Sequence, residues 1–376
     1  MNQPNRPLML TIAALAVVVV IVVGALSGIF TTPNPDAAGT PSPAPSTPPT
    51  LPPPTQLTLL THDSFAVTEP EILGAFESQN NAHVNVLRAG DAGAMVNQAI
   101  LTKDNPLADV LYGVDNTFLS RALDAGIFEP YHATGVDAVP AALRLDARER
   151  VTPIDYGDVC LNYDNEAYSD ANPPPQTLED LIKPEYRGQL VVEDPGTSSP
   201  GLAFMLATIA RFGETGDYTW RDYWGDLRDN GVAIVSGWEE AYSGSFSGGS
   251  GEGDRPLVVS YATSPVAEVV FASPQPAEAP TGVMTDGCFR QVEFAGVLVG
   301  AKQPELAKKF VDYMLAAGFQ TDIPFNMFVF PAVPNTYLEP EFTDFAANVP
   351  NPLTMAPGQI GANRERWLNE WQAATH

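Results

Sequence analysis

The stretch ADVLYGVDNTFLSRALDAG, Ala108 to Gly126, decides the fold class. Its first half, ADVLYGV, is a short apolar run of strand type. Its second half, NTFLSRALDAG, spaces apolar residues as a helix does and stops at Gly126. The pattern repeats outward from there. Upstream, LTLLT from Leu57 is strand-like, EPEILGAFESQ is helical, AHVNVLRA alternates with period two, and AGAMVNQAIL is helical again. Repeated strand–helix units with short connections imply a parallel sheet covered by helices. In such sheets ligands bind beyond the carboxyl ends of the strands, where His62, Asp63 and Ser64, and Val114 to Asn116, are expected to lie.

Downstream, VTPIDYGDVCLNYD, GQLVVEDPGTSSPGLAFMLATIARFG, GVAIVSGWEEAY and PLVVSYATSP form further strand–loop–helix units. FRQVEFAGVLVGAKQPELAKKFVDYMLA reads as a strand pair followed by a helix opened by Pro304. Two α/β lobes joined by crossing strands explain this order, with the site in the cleft between them. The tract SGSFSGGSGEGD, Ser243 to Asp254, has the composition of a flexible surface loop.

The chain of 376 residues does not fold as one body throughout. Leu8 to Phe30 is apolar and uncharged, long enough to cross a bilayer as a helix. Residues 1–30 are therefore expected to form a signal-anchor helix, or a signal peptide released by cleavage, that places the rest outside the cytoplasm. Residues 31–56, rich in Pro, Thr and Ser, read as an extended tether. The net charge of −26 excludes nucleic acid as a partner, because phosphate neutralisation needs lysine and arginine. Two cysteines in an exported chain, Cys160 and Cys288, are expected to form one disulfide.

Metal, serine-nucleophile and phosphate-loop patterns are missing from the sequence. A glycosidase carboxylate pair stays open, because acidic residues are abundant and sequence does not give their separation. His62-Asp63 has no companion ligands, because His83, His132 and His376 stand at no ligand-like spacing. No G-x-S-x-G elbow and no phosphate-binding Gly-rich loop occurs. Binding groups are better represented. Trp238 and Tyr242 stand four apart, on one face if helical. Tyr261 follows a strand, and aromatic faces near carboxylates suit a cationic ligand. Asp115 serves either as a countercharge or as the cap of the helix that follows. In EDPGTSSPGLAF, Ser199 is placed to cap a helix with Pro200 at its first position, leaving Thr197, Ser198 and free N–H groups at the helix start.

Taken together, THDSF, ADVLYGVDN, PIDYGDVCLNYD, EDPGTSSPGLAF, SGWEEAY, SYATSP, AGVLVGAKQPELAKKFVDYML, IPFNMFVFPAV and RWLNEWQ occur in an order that resembles the thiamine-binding periplasmic proteins, the substrate-binding components of thiamine ABC importers. The resemblance spans Leu57 to His376. It implies a type II periplasmic-binding-protein fold, with residues 57–154 and 266–316 in one lobe and 155–265 and 317–376 in the other. It also implies no catalysis, no cofactor, an extracytoplasmic location and an ABC permease as partner. Trp238 and Tyr261 are then expected to stack on thiamine or a thiamine phosphate, with Tyr242 behind them. Asp115 makes a polar contact, Ser198 and Ser199 face the hydroxyethyl or phosphate end, and His62, Asp63, Ser64, Asn116 and Ser264 complete the rim. Two departures stand out: His62 replaces a family tyrosine, and AVTEP replaces a segment carrying a tryptophan. An imidazole at position 62 is expected to weaken cation binding at low pH. A receptor for a polyamine or ferric ion, or a secreted hydrolase built on Asp63 or Asp115, are the competing readings.

Overall fold

The computed structural model describes residues 52–67 and 70–376. The expected signal-anchor helix and all but the last residues of the tether lie outside these residues. Among the described residues no helix is long and apolar enough to cross a membrane. Strand β1 is Thr55–Thr61, so the sheet begins before Leu57.

Nine strands form one hydrogen-bonded sheet. On one flank β1 pairs in parallel with β2, Ala82–Arg88, and with β3, Val110–Asp115. On the other flank β5, Leu190–Glu193, pairs in parallel with β6, Ala233–Val235, and with β7, Leu257–Tyr261. These are the parallel sets expected from the repeated strand–helix units. Two long strands join them: β4, Thr152–Asp164, of 13 residues, and β8, Thr281–Val297, of 17 residues, run antiparallel to each other at the centre. A two-residue strand β9, Phe330–Pro331, adds to β4. The result is two α/β lobes on one continuous sheet, linked by the strands that cross between them.

The helices start and stop where their residues dictate. Helix α1, Pro70–Asn80, is followed by α2, Ala92–Leu101, whose first free N–H is taken by the Asp91 carboxylate at 2.7 Å. Helix α3, Leu119–Ala125, ends at Gly126 with φ of 70°, a left-handed turn that costs glycine little. Helix α4, Ser199–Phe212, carries Pro200 in its first turn, and its cap position falls on Ser198, one residue earlier than expected. Helices α5, Trp220–Asp229, and α6, Ser264–Val270, follow. Helix α7, Pro304–Met314, opens at Pro304 as the sequence indicates. Helices α8, Ala317–Met327, α9, Pro340–Phe345, and α10, Pro357–Thr375, complete the chain.

Helix α10 packs on α3 and on α5, and so touches both flanks of the sheet. Its Trp367 and Trp371, four residues apart, are fully buried with Trp220 and Trp224 of α5. Trp224 meets Trp371 edge-on at 5.6 Å between ring centres. Burying an aromatic of this size withdraws about 150–250 Å² from water, which explains why RWLNEWQ is a structural element. Four of the chain's five tryptophans are used this way. The fifth, Trp238, is only half-buried.

The tract Ser243 to Asp254 departs from its composition. It wraps the fully buried Phe246, with the Gly253 amide bonded to the Phe246 carbonyl at 2.9 Å and Ser250 Oγ to Glu268 at 3.1 Å. Its glycines serve close approach: a Cβ at Gly251 would stand 2.1 Å from the Phe246 carbonyl oxygen.

Cys160 on β4 and Cys288 on β8 are joined as a disulfide, with Cα atoms 4.4 Å apart. Register shifts here: Val159 pairs with Phe289 and Leu161 with Met284, so Cys160 stands opposite an extra loop of β8. The bond pins that bulge and closes 128 residues of chain. Replacing both cysteines with alanine is expected to lower the free energy of unfolding by about 2–4 kcal/mol in chemical denaturation. Alkylation of the denatured, unreduced protein is expected to leave its mass unchanged.

Candidate functional site

A cavity of about 280 Å³ opens between the two flanks, beyond the carboxyl ends of β1 and β7. From the first flank come His62 and Ser64, just past β1, and Asp91 at the start of α2. From the second come Trp238, Tyr242, Tyr261 and Ser264, with Ser199 from the start of α4. The floor is Gln291 and Glu293 of β8. Phe271, after α6, and Phe328, after α8, sit at the mouth with ring centres 5.3 Å apart.

The aromatic wall is held by its own hydrogen bonds. Trp238 stacks on Tyr242 at 5.0 Å with an interplanar angle of 17°, and its indole N–H donates to Ser260 Oγ at 2.9 Å. Ser260 Oγ shares a hydrogen bond of 2.8 Å with Ser264 Oγ, which accepts from the Tyr261 amide at 3.2 Å. The Tyr242 hydroxyl donates to Glu268 at 2.8 Å and the Tyr261 hydroxyl to Gln291 at 3.2 Å. The i, i+4 spacing of Trp238 and Tyr242 thus does place both rings on one face.

Beneath this wall lies a row of acids. Asp115 of β3, Glu293 of β8 and Asp155 of β4 are direct cross-strand neighbours. All three are buried, and like charges set opposite one another on a sheet repel. Each has a different relief. Asp115 accepts from the Thr117 amide at 2.7 Å and from Ser199 Oγ, yet burial outweighs both and lifts its pKa to about 6. Asp155 accepts from the Tyr112 hydroxyl at 2.5 Å, but burial, with the neighbouring Glu293 charge, holds its pKa well above the carboxylate range. Burial works against ionising Glu293 as well; there, His62 overcomes it and lowers the pKa. Its oxygen lies 3.5 Å from His62 Nε2. The row therefore concentrates its charge at Glu293.

His62 is seated by Gly113, whose φ is +99°. A Cβ there would fall 2.2 Å from His62 Cδ2, so only glycine leaves room for the ring.

The remaining expected residues lie around this centre. Ser64 Oγ donates to Glu239 at 3.3 Å, and the Trp238 amide donates to Asp91 at 3.3 Å, so the two flanks touch across the cavity mouth. Exposed Asp63 accepts from the Gly90 amide at 3.1 Å and so fixes the turn that presents Asp91. Asp115 does not face the cavity; it links β3 to α4 through Ser199. Ser199 thus bonds across the cleft instead of capping its helix. Asn116 is tied to β8, accepting from the Val292 amide at 2.8 Å and donating to the Arg290 carbonyl at 3.1 Å. Ser198 is buried at the α4 cap, its amide bonded to the Asp194 carbonyl at 3.0 Å. Sequence reading missed Gln291, Glu293, Asp91, Phe271 and Phe328. The signal for the first two was present: Gln291 and Glu293 are polar residues two apart on either side of Val292, hence on one face of the strand.

The profile of the bacterial extracellular solute-binding proteins matches residues 105–350. The chain belongs to that family. This solute-binding protein is 31% identical to the thiamine-binding periplasmic protein of Brucella melitensis over 85% of its length and 92% of the relative's. It is also 31% identical to the thiamine-binding periplasmic protein of Escherichia coli, over 85% and 93% of the two chains. Among solved structures, a periplasmic thiamin binding protein superposes with a TM-score of 0.75 at 29% identity, covering 86% of this chain and 97% of that one. A ferric binding protein from Campylobacter jejuni shares the fold, with a TM-score of 0.68 at 18% identity over 85% and 99%. These relationships confirm the fold expected of the solute-binding protein and place it outside the cytoplasm.

Two expectations follow for its stability. Gly113→Ala is expected to lower the melting temperature and to expel the His62 ring, visible as a changed imidazole resonance. Asp115 titrates near pH 6 in the native state, above the ordinary 3.8. The native form thus holds the proton more tightly, and its stability relative to Asp115→Asn is greatest below pH 4 and is lost as pH rises through 6. Denaturant titrations at pH 4.5 and 7.5 are expected to show a difference on the order of 2–3 kcal/mol.

Proposed function

We propose that the protein captures thiamine in the cavity between its lobes and delivers it to an ABC permease, without catalysing a reaction. The observation that carries this reading is the pairing of an aromatic wall, Trp238 and Tyr261, with a floor whose carboxylate is Glu293. Aromatic faces beside a carboxylate suit a flat cationic ligand, and each desolvated cation–π contact contributes about 2 kcal/mol. The thiamine-binding names of the relatives identify which such ligand to test first. The lobe division expected from the sequence, 57–154 with 266–316 against 155–265 with 317–376, is part of this proposal, and the support for a division is that residues of both flanks line the cavity. Ligand contacts from both flanks then stabilise a hinge closure. The apolar segment 8–30 and the Pro-rich segment 31–56 suit a receptor kept near its permease.

The wall also bears on the ester question. Asp91, Glu239 and Glu293 face the cavity, whereas no lysine or arginine among the described residues does. Such a wall repels phosphate, which favours unesterified thiamine over thiamine phosphates. Of the alternative cations, ferric ion requires free phenolates. The Tyr242 and Tyr261 hydroxyls are instead engaged with Glu268 and Gln291. A hydrolase built on Asp63 or Asp115 is disfavoured, because Asp63 holds a turn and Asp115 faces away from the cavity.

Equilibrium dialysis is expected to show saturable thiamine binding at micromolar concentration or below, with affinity falling in the order thiamine, monophosphate, diphosphate. Trp238→Ala is expected to weaken binding roughly tenfold or more, in line with the loss of one cation–π contact. An absence of binding at micromolar thiamine defeats the ligand assignment and leaves the solute-binding class intact.

A further inference from the structure

We infer that His62 is the protein's own counter-cation for Glu293, and that a cationic ligand entering the cavity replaces it, so that capture releases a proton. This inference rests on the proposed capture of a cation and adds a mechanism to it.

The geometry begins with the acid row of Asp115, Glu293 and Asp155, three adjacent buried carboxyl groups on neighbouring strands. A buried carboxylate needs a partner charge or several hydrogen bonds. Glu293 receives one hydrogen bond, from Gln291 Nε2 at 3.2 Å, and the imidazole of His62 at 3.5 Å. The second distance is longer than a hydrogen bond, so the attraction is between charges. His62 Nε2 has no hydrogen-bond partner although it is buried. Among the described residues it is also the sole basic side chain on the cavity wall.

Every group facing His62 favours its charge or is neutral. Glu293 approaches from β8, Asp91 from the start of α2 and Asp115 from the end of β3. Tyr112 of β3 lies 6.0 Å away between ring centres, with its hydroxyl committed to Asp155 of β4. Tyr261 of β7 and Gln291 of β8 are uncharged, and Glu239 lies across the mouth. Burial opposes protonation, but the three carboxylates outweigh it and raise the His62 pKa.

A cation held against Trp238 and Tyr261 shares this one cavity with the imidazolium. Two like charges at such range repel enough to move an imidazole pKa by on the order of one to two units. The imidazolium then gives its proton to solvent: protonated His62 plus ligand cation becomes neutral His62, bound cation and one aqueous proton. The Glu293 charge passes from an internal partner to the ligand, and the buried acid row is never left without a cation. Affinity must therefore fall as pH falls through the raised His62 pKa, by as much as tenfold per unit.

The test has two arms on the purified extracytoplasmic protein. In the ligand-free protein, proton NMR follows the four histidines, with His62→Gln identifying the resonance. His62 is expected to titrate above 6.5 and to fall when Glu293→Gln is introduced. A value at or below 6.5, or one indifferent to Glu293→Gln, overturns the pairing, whether or not any ligand binds. In the second arm, calorimetry with thiamine near pH 6.5 in phosphate and in Tris counts protons. Wild type is expected to release about half a proton or more per ligand, and to weaken roughly tenfold between pH 7.5 and 5.5. His62→Gln is expected to bind with a flatter profile and to release fewer protons. Protonation of thiamine's own aminopyrimidine is common to both proteins and cancels in the comparison. Binding with the same proton count in both proteins overturns the exchange and leaves the proposed function standing. No binding in either defeats that function and with it the exchange, while the first arm still decides the pairing.

Discussion

Three carboxyl groups side by side on the central strands are the constraint around which this molecule is arranged. Asp115, Glu293 and Asp155 lie on the strands where the two parallel sets meet. An apolar row would pack there without electrostatic cost. Charge buried at that point must be neutralised locally, and each neighbour performs a part of this. Tyr112 binds Asp155, Ser199 and Thr117 bind Asp115, and His62 faces Glu293. Burial then drives Asp115 and Asp155 towards their neutral forms and leaves Glu293 as the charged member. The cavity sits directly over it.

The same row joins the lobes. Asp115 belongs to the first flank and Ser199 to the helix start of the second, so one hydrogen bond ties the floor of the cleft. The contacts of Ser64 with Glu239 and of Trp238 with Asp91 repeat the tie at the mouth. Arg364 of α10 adds another from behind, donating to the Gly196 carbonyl at 3.2 Å while its guanidinium lies 4.6 Å from the Phe118 ring centre. Movement of one lobe against the other must break these few polar contacts. The buried tryptophans of α5 and α10 form one packed unit, and α10 also rests on α3 of the first flank.

Much of this was legible before any coordinates. Helical spacing, strand runs and the stops at Gly126 and Pro304 marked the elements, because amphipathic periodicity is a local consequence of burying one face. Trp238, Tyr242, Tyr261, Ser199, Ser264, His62 and Ser64 line the cavity. They were found because strand ends are where such sheets bind. Asn116 and Asp115 share that position but turn away from the cavity, since β8 claims the Asn116 amide while Thr117 and Ser199 of α4 claim the Asp115 carboxylate. The Gly- and Ser-rich tract lies at the surface as its composition indicates, but composition is silent on Phe246, whose burial organises the loop.

The sequence by itself determined the two α/β lobes, the disulfide partners, the aromatic wall and the family, all of which follow from local pattern or from motifs in fixed order. Only the tertiary structure decided the floor. Asp115, Asp155 and Glu293 are distant in sequence and become neighbours through the register of β3, β8 and β4. The role of His62 follows from the same register. Its charge is set by carboxylates drawn from three separate elements, and such a sum exists only once the chain has folded.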